Sequence, residues 1–368
     1  MAVRSNMGLV LDRTYIKLKT LKQVIVKSRY AKKRVKMIGG GYTGSQKEFR
    51  EVVLNYWKPY GVKPKRYWYA LLCAGRNSYD PRYIPDNIWY GKIYPYFNNI
   101  IARNTYGDKG FFETLFADIK QPETVVKNIA GHYYDGQMHL MSREEALGRC
   151  VAVGHFVIKS STNTGGGRNV GFADLDGTDD REKVDELFRN YHVNFIVQKL
   201  VEQHPDLARI HPESLNTVRV QSFFFKDEVY ILSAQLRMGG GDSRVDNVSA
   251  GGCACAVGND GWLVGKAVTR KSEWTDRHES SGILIKDIRV PSYNKIQECV
   301  KRQHEKMPYF GILGWDFAVD KTGDPVLVEV NVTSEPNQIA SGPTFGDLTP
   351  QVLQEVFIDK TMKDYFIL

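Results

Sequence analysis

The chain has 368 residues, with 50 Lys and Arg against 42 Asp and Glu, a formal net charge of +8 and an apolar fraction of 42%. That length exceeds one simple core and suits two or three packed subdomains of ordinary globular composition. No run approaches the roughly 18 apolar residues of a membrane span, the start at Met1-Ala2-Val3-Arg4 lacks the apolar core of a secretory leader, and five cysteines, an odd number, point to a reducing, cytoplasmic setting.

The charge sits at one end. Residues 1–66 hold 17 Lys and Arg and 3 Asp and Glu, a balance of +14, whereas the remainder holds 33 and 39, a balance of −6. The densest run is Lys27-Ser28-Arg29-Tyr30-Ala31-Lys32-Lys33-Arg34-Val35-Lys36. Such a face suits an anionic membrane or an acidic substrate, or is simply solvated. No zinc finger, RNA-recognition signature or bZIP heptad accompanies it, so nucleic-acid binding is not expected. Ser45-Gln46-Lys47-Glu48 then reads as a capping box, opening a helix with Phe49, Val52, Val53 and Tyr56 on one face and Pro59 at its end. From Tyr56 to Tyr106 the chain is rich in Tyr and Trp, for core packing or for stacking on sugar rings.

A helix is predicted after Gly107-Asp108-Lys109, with Phe111, Phe112, Leu115, Phe116 and Ile119 on one side. Ser142-Arg143-Glu144-Glu145 is a second capping box, and its helix ends near Gly154. His155–Ser160 reads as a strand leading into a glycine loop, Gly165-Gly166-Gly167. A helix near 180–190 follows, then strands at 194–201, 217–225 and 228–238, and a helix near 293–306. Cys253-Ala-Cys255 lacks metal-knuckle spacing and reads as small residues in a strand. His132, His139 and the other histidines form no catalytic or metal spacing. There is no internal repeat, and helices mixed with antiparallel strands imply an α+β protein.

The last motif is a hairpin, Trp315-Asp316-Phe317-Ala318-Val319 and Pro325-Val326-Leu327-Val328-Glu329-Val330-Asn331 around Thr322-Gly323. With a two-residue turn at Thr322-Gly323, Asp316 lies opposite Glu329, and Asn331 shares their face. Like charges directly opposite need a neutralising partner. An all-oxygen set with spare coordination suits Mg²⁺ carrying nucleotide phosphates; the alternative is an exposed hairpin with incidental acids. Lys159, at the entrance to the glycine loop, is placed to meet phosphate oxygens together with the loop's N–H groups. No P-loop signature is present.

The order Asp108-Lys109, Val157-Ile158-Lys159 with Gly165-Gly166-Gly167, Gln198-Lys199-Leu200-Val201, and Asp316 with Glu329-Val330-Asn331 resembles the ATP-grasp superfamily over residues 105–345. Asp80-Pro81-Arg82-Tyr83-Ile84-Pro85-Asp86 and Asp246-Asn247-Val248-Ser249-Ala250-Gly251-Gly252 look like its sugar-transfer-associated, α-L-glutamate-ligase-related members. The resemblance implies an ATP-grasp fold, divided here into an N-terminal basic and aromatic region (1–107), a lid subdomain (108–200) and a C-terminal subdomain with the metal site (201–368). It implies that Lys109, Lys159 and the loop Gly165–Gly167 hold ATP phosphates, that Gln198 and the backbones of Lys199 and Val201 meet adenine, and that Asp316, Glu329 and Asn331 hold Mg²⁺. Gln198 stands where many members have Glu, and its carbonyl can still accept from the adenine amino group. The basic residue that some relatives carry after the Asn is missing from Val332-Thr333-Ser334-Glu335. Arg219 and Arg237 are the candidates for its anion-stabilising role.

The implied activity is an ATP- and Mg²⁺-dependent carboxylate–amine ligase on a small or lipid-linked acidic sugar and an amine, at the inner face of an anionic membrane. A phosphotransferase and a non-catalytic nucleotide-binding module are the alternatives. Asp316→Asn is expected to impair turnover more than folding.

Overall fold

The computed structural model describes residues 2–162, 169–177, 179–269, 271 and 273–362. The basic N-terminus is one long helix, α1 (Ala2–Met37). Its Lys, Arg, Leu and Ala residues are good helix formers, with no proline to interrupt them. One side of its C-terminal half packs, with Ala31 fully buried, against the helical turns Arg66–Leu72 and Asp86–Ile88. Among the described residues no helix is long and apolar enough to cross a membrane.

The first capping box forms by half. Ser45 Oγ accepts from Glu48 N at 3.0 Å, but the Glu48 carboxylate turns to the Tyr42 hydroxyl, 3.0 Å away. Helical backbone runs on through Pro59, which fits the first turn of a closing 3₁₀ segment, Lys58–Tyr60. It stops at Gly61, whose φ of 68° suits glycine. Pro59 is therefore not the terminator that the sequence suggested.

The Tyr/Trp segment is core. Trp57, Trp68, Tyr69, Tyr83 and Trp89 are each at most 1% exposed, which leaves no ring face for a sugar. They share one cluster with Phe223, Phe225 and Ile312 of the second sheet and with Val352 and Leu353 near the C-terminus. The N-terminal region is thus built onto the far side of the second sheet. The helix expected after Lys109 shortens to a 3₁₀ turn, Lys109–Phe111, and one turn, Phe112–Leu115.

Two antiparallel sheets follow. The first contains β1 (Thr124–Ile129), β2 (His132–Tyr134), β3 (Leu140–Met141), β4 (His155–Ser160), β5 (Val170–Asp174) and β6 (Phe195–Lys199), in the order β3-β2-β1-β6-β4-β5. Two helices cover it, α2 (Arg143–Val153) and α3 (Asp180–Tyr191). Ser142 Oγ caps α2 by accepting from Glu145 N at 3.1 Å, and Gly154 ends it.

The second sheet contains β7 (Thr217–Phe225), β8 (Glu228–Met238), β9 (Cys253–Val257), β10 (Leu263–Thr269), β11 (Trp274–Thr275), β12 (Ile312–Val319) and β13 (Pro325–Asn331), in the order β11-β10-β9-β8-β7-β12-β13. Helix α4 (Tyr293–His304) packs on it through Tyr293, Ile296 and Val300. Strand β12 is buried at every position, as an interior strand of a sheet covered on both faces must be.

The N-terminal region grips the segment that leaves β13. Trp89 Nε1 donates to Ser334 O at 3.1 Å, Tyr94 Oη donates to Val332 O, and Lys27 pairs with Glu335 at 2.7 Å. Gln338 exchanges two hydrogen bonds with the Ile84 backbone, at 2.8 and 2.7 Å. Trp89→Ala should therefore cost about 3–5 kcal/mol in urea unfolding. Trp89→Phe, which keeps the ring but not the N–H, should cost markedly less.

Candidate active site

The two sheets enclose a cavity of about 550 Å³. Every site residue expected from sequence lines it, apart from Gly165, Gly166 and Gly167, which lie outside the described residues. Lys159 comes from β4, Gln198 from β6, Arg219 from β7, Arg237 from β8, and Asp316, Glu329 and Asn331 from the hairpin.

The hairpin register is right at the site and wrong at the turn. Asp316 pairs with Glu329 and Gly314 with Asn331, but Phe317 pairs with Leu327 and Val319 with Pro325. A bulge between Asp316 and Phe317 absorbs one residue. The connection is therefore the five residues 320–324, not two. Asp320 Oδ1 ties it, accepting from the N–H groups of Thr322 at 2.9 Å and Asp324 at 3.0 Å. The bulge puts Leu327 into the core beside Phe317 while Val328 and Glu329 both face the cavity.

Across the other edge of β12, Asp316 lies beside Arg219. Its carboxylate takes both Arg219 Nε and Nη2, the latter at 2.7 Å, with Arg237 Nη2 at 3.3 Å and Asn331 Nδ2 at 3.2 Å. Burial pushes the Asp316 carboxyl up, but the Arg219 and Arg237 guanidiniums outweigh it and hold the group below the usual carboxylate range. Arg219 in turn stays above its ordinary value despite its burial, because Asp316 is its neighbour. Glu329 pairs with Lys109 Nζ at 2.9 Å. The like-charge tension read from the hairpin is thus relieved by protein cations. Non-local strand pairing brings them there, which a hairpin pattern alone does not reveal.

This arrangement revises the arginine assignment. Arg219 is committed to Asp316, as an ion pair on neighbouring strands. Arg237 is shared among Asp316, Asp246 at 3.4 Å and Thr217 Oγ1 at 2.9 Å. Asp246 was quoted only as part of a motif, yet it is buried in the cavity wall and accepts from Thr217 N at 3.1 Å. Burial raises its carboxyl above the ordinary value, with Arg237 opposing. Arg244 also lines the cavity. It crosses to the first sheet, where it pairs with Asp174 at 2.5 Å and lies 4.3 Å from the centre of the Phe172 ring.

Lys159 is buried, and its ammonium has no hydrogen bond or ion pair among the described residues. Burial, with the Lys109 charge beside it, brings it down to about 8. A buried cation without a partner marks a place for an anion. Gln198 gives a complementary sign. Its Nε2 donates to Pro122 O and Thr124 Oγ1, both at 3.2 Å, while its buried Oε1 has no partner. That leaves an acceptor free for an amino group. The Lys199 N–H is taken by Glu123 O at 2.9 Å, and its side chain pairs with Glu123.

Among the described residues no group of three His, Cys, Asp or Glu side chains is placed to hold a metal ion. The donor set here is two carboxylates and one amide. Asp316, Glu329 and Asn331 offer only hard oxygen ligands, which fits Mg²⁺ once the Asn331 amide turns its oxygen inward. Seven Lys and Arg line the cavity against five Asp and Glu, so a nucleoside triphosphate with about four negative charges would leave it anionic without a bound dication.

A family model described as sugar-transfer associated ATP-grasp matches residues 92–352, most of the chain. No curated protein matches. Among solved structures, D-alanine–D-alanine ligase from Bacillus anthracis is 13% identical, over 72% of this chain and 71% of that one, with a TM-score of 0.40. The biotin carboxylase domain of the Hydrogenobacter thermophilus 2-oxoglutarate carboxylase, in complex with MgADP, ADP and bicarbonate, is 13% identical over 62% and 40%, with a TM-score of 0.36. The ATP-grasp ligase PsnB, complexed with precursor peptide PsnA2 and AMPPNP, is 14% identical over 69% and 62%, with a TM-score of 0.39. The chain therefore spans less than two thirds of the last two.

Lys159 predicts the pH dependence of polyphosphate binding. Below about pH 8 the free ammonium is charged and attracts the anion; above it the lysine must take up a proton to bind. Nucleotide affinity should fall by up to about tenfold per pH unit above 8. Calorimetry in buffers of different ionisation enthalpy should register proton uptake. Lys159→Met should bind weakly at pH 7 and show neither effect.

Proposed function

The chain belongs to the sugar-transfer-associated ATP-grasp family, and we propose that it is an ATP- and Mg²⁺-dependent carboxylate–amine ligase acting on an acidic sugar or sugar-linked precursor. The observation that carries this reading is the buried, unpartnered Lys159 ammonium facing the oxygen donors Asp316, Glu329 and Asn331 in one cavity. The orphaned Gln198 carbonyl oxygen lines the same cavity and suits the adenine amino group.

In this reading Lys109 and Lys159 hold the β- and γ-phosphates of ATP. Asp316, Glu329 and Asn331 hold Mg²⁺, which would neutralise phosphate charge. A substrate carboxylate oxygen attacks the γ-phosphorus, and the bond to the bridging oxygen breaks to release ADP. The acyl phosphate that remains is attacked at carbon by an amine, which loses a proton as inorganic phosphate leaves. No covalent nucleophile of the protein is required, so positioning and charge neutralisation supply the rate. Arg237, with Nη1 outside its carboxylate contacts, is the guanidinium best placed to meet the oxyanion. Arg219 keeps Asp316 ionised and fixed. The sheet of Phe172 and the loop of Arg244 close the site against water, which would hydrolyse the acyl phosphate.

ATP turnover with Mg²⁺ across acidic sugars, with hydroxylamine as a trap, tests the reading. ADP release with a hydroxamate is the ligase outcome. ADP release with a stable phosphorylated product and no hydroxamate is phosphotransfer, and absence of Mg²⁺-dependent turnover leaves a binding module. The geometry also decides which variant probes the metal. Asp316 is buried and doubly paired, so Asp316→Asn should cost about 3–5 kcal/mol of stability as well as turnover, contrary to the expectation from sequence. Glu329, whose side chain is 27% exposed, is the cleaner position. Glu329→Gln should lower turnover about 100-fold or more while the denaturation midpoint moves little.

A further inference from the structure

The outward face of α1 is unlike the rest of the surface. Leu18, Leu21, Ile25 and Val26 are 63%, 55%, 42% and 53% exposed, and Tyr30 and Met37 are exposed beside them. At about 100° per residue, Leu18, Leu21, Ile25, Arg29, Lys33 and Lys36 fall on one side of the helix, opposite Lys27, Ala31 and Arg34, which face the body. Lys17, Lys22, Arg29, Lys32, Lys33 and Lys36 are all exposed. No acid occurs between Asp12 and Glu48, and no carboxylate among the described residues pairs with Lys22, Arg29, Lys33 or Lys36. An exposed helix face that is apolar in one stretch, basic in the next and free of acids has the composition of an interfacial helix.

We propose that this face docks onto an anionic lipid surface, with Leu18, Leu21, Ile25 and Val26 entering the headgroup boundary and Arg29, Lys33 and Lys36 meeting lipid phosphates. Charge complementarity selects a bilayer over a second copy of the chain, since the same cationic face would repel itself across a two-fold axis. The attachment is firm enough to orient the molecule. On its inner side α1 is bound through Lys27 to Glu335, four residues beyond Asn331, and the Lys27 ammonium lies 4.8 Å from the centre of the Tyr90 ring. Burial lowers the Lys27 ammonium but Glu335 outweighs it, so this tie stays charged. Docking of α1 would then hold the cavity at a fixed orientation to the membrane plane, where a lipid-linked substrate is presented.

The test is flotation of the full chain with vesicles of neutral lipid alone and with about one third anionic lipid, at low and moderate salt. Binding to the anionic vesicles only, reduced by salt, is the expected result. The pair Arg29→Glu with Lys33→Glu should lower binding at least about tenfold. Leu18→Ser with Ile25→Ser should lower it while the remaining binding keeps its salt dependence. Both variants should bind nucleotide as the unmodified chain does, because neither pair touches the cavity; this separates loss of docking from loss of fold or of the nucleotide site. Equal binding to neutral vesicles, no binding to either, or a concentration-dependent dimer that Leu18→Ser with Ile25→Ser abolishes would each overturn the proposal. So would binding to generic duplex DNA as tight as to the anionic vesicles.

Discussion

Asp316 is the point on which the site is built. It sits on β12, one strand in from the edge of the second sheet, almost without contact with water, and four nitrogens of Arg219, Arg237 and Asn331 fix its two oxygens. A lone carboxylate there would pick up a proton, since burial alone drives it that way. The guanidiniums of Arg219 and Arg237 prevent this, and their own charges are compensated by Asp316 and Asp246. The result is a charged strip across four strands, two acids beside two bases, with Glu329 on β13, Asp316 on β12, Arg219 on β7 and Arg237 on β8. Removing Asp316 or either arginine leaves another buried charge without its partner, so these three are a mutual constraint rather than a sum of pairs.

The surrounding architecture keeps that strip in place. Helix α4 backs the second sheet from one side, and the aromatic N-terminal region backs it from the other. The latter also grips residues 332–338 as they leave β13, through Tyr94, Trp89, Lys27 and the Ile84–Gln338 pair. The aromatic residues therefore serve the site indirectly. They immobilise the strand end that carries Glu329 and Asn331, and their rings contribute burial instead of ligand contact.

Local signals in the sequence were reliable where a single stretch of chain decided the outcome. The Ser142 cap, the end of α2 at Gly154, strand β4 and the facing of Asp316 and Glu329 all depend on residues close together. The family fold followed from the order of four short motifs. The placing of Lys159 and Gln198 in the cavity was legible for the same reason, though the Gln198 oxygen could only be called free once its amide nitrogen was seen bound to Pro122 and Thr124. What stayed hidden depends on distant chain. Arg219 as the neutraliser of Asp316 needs the β7–β12 pairing, and Lys109 as the partner of Glu329 needs one sheet to be set against the other. The bulge at the hairpin needs the core to claim Leu327. Pattern reading places a side chain on a face, but not opposite a residue that is 97 positions away.

Arg244 sets how the cavity lets material in. It is the strut between the wall formed by the second sheet and strand β5 of the first, through one ion pair that stands partly in water and one ring contact. Each is worth no more than about 1 kcal/mol in such a setting. The side of the cavity at Lys109, by contrast, is held by the Lys109 N–H bonded to Ser161 O and by the ion pair of the buried Lys109 ammonium with Glu329. The two ends therefore differ in the work needed to part them. The cavity thus has a yielding side, at Arg244 and β5, and a firm side, at Lys109.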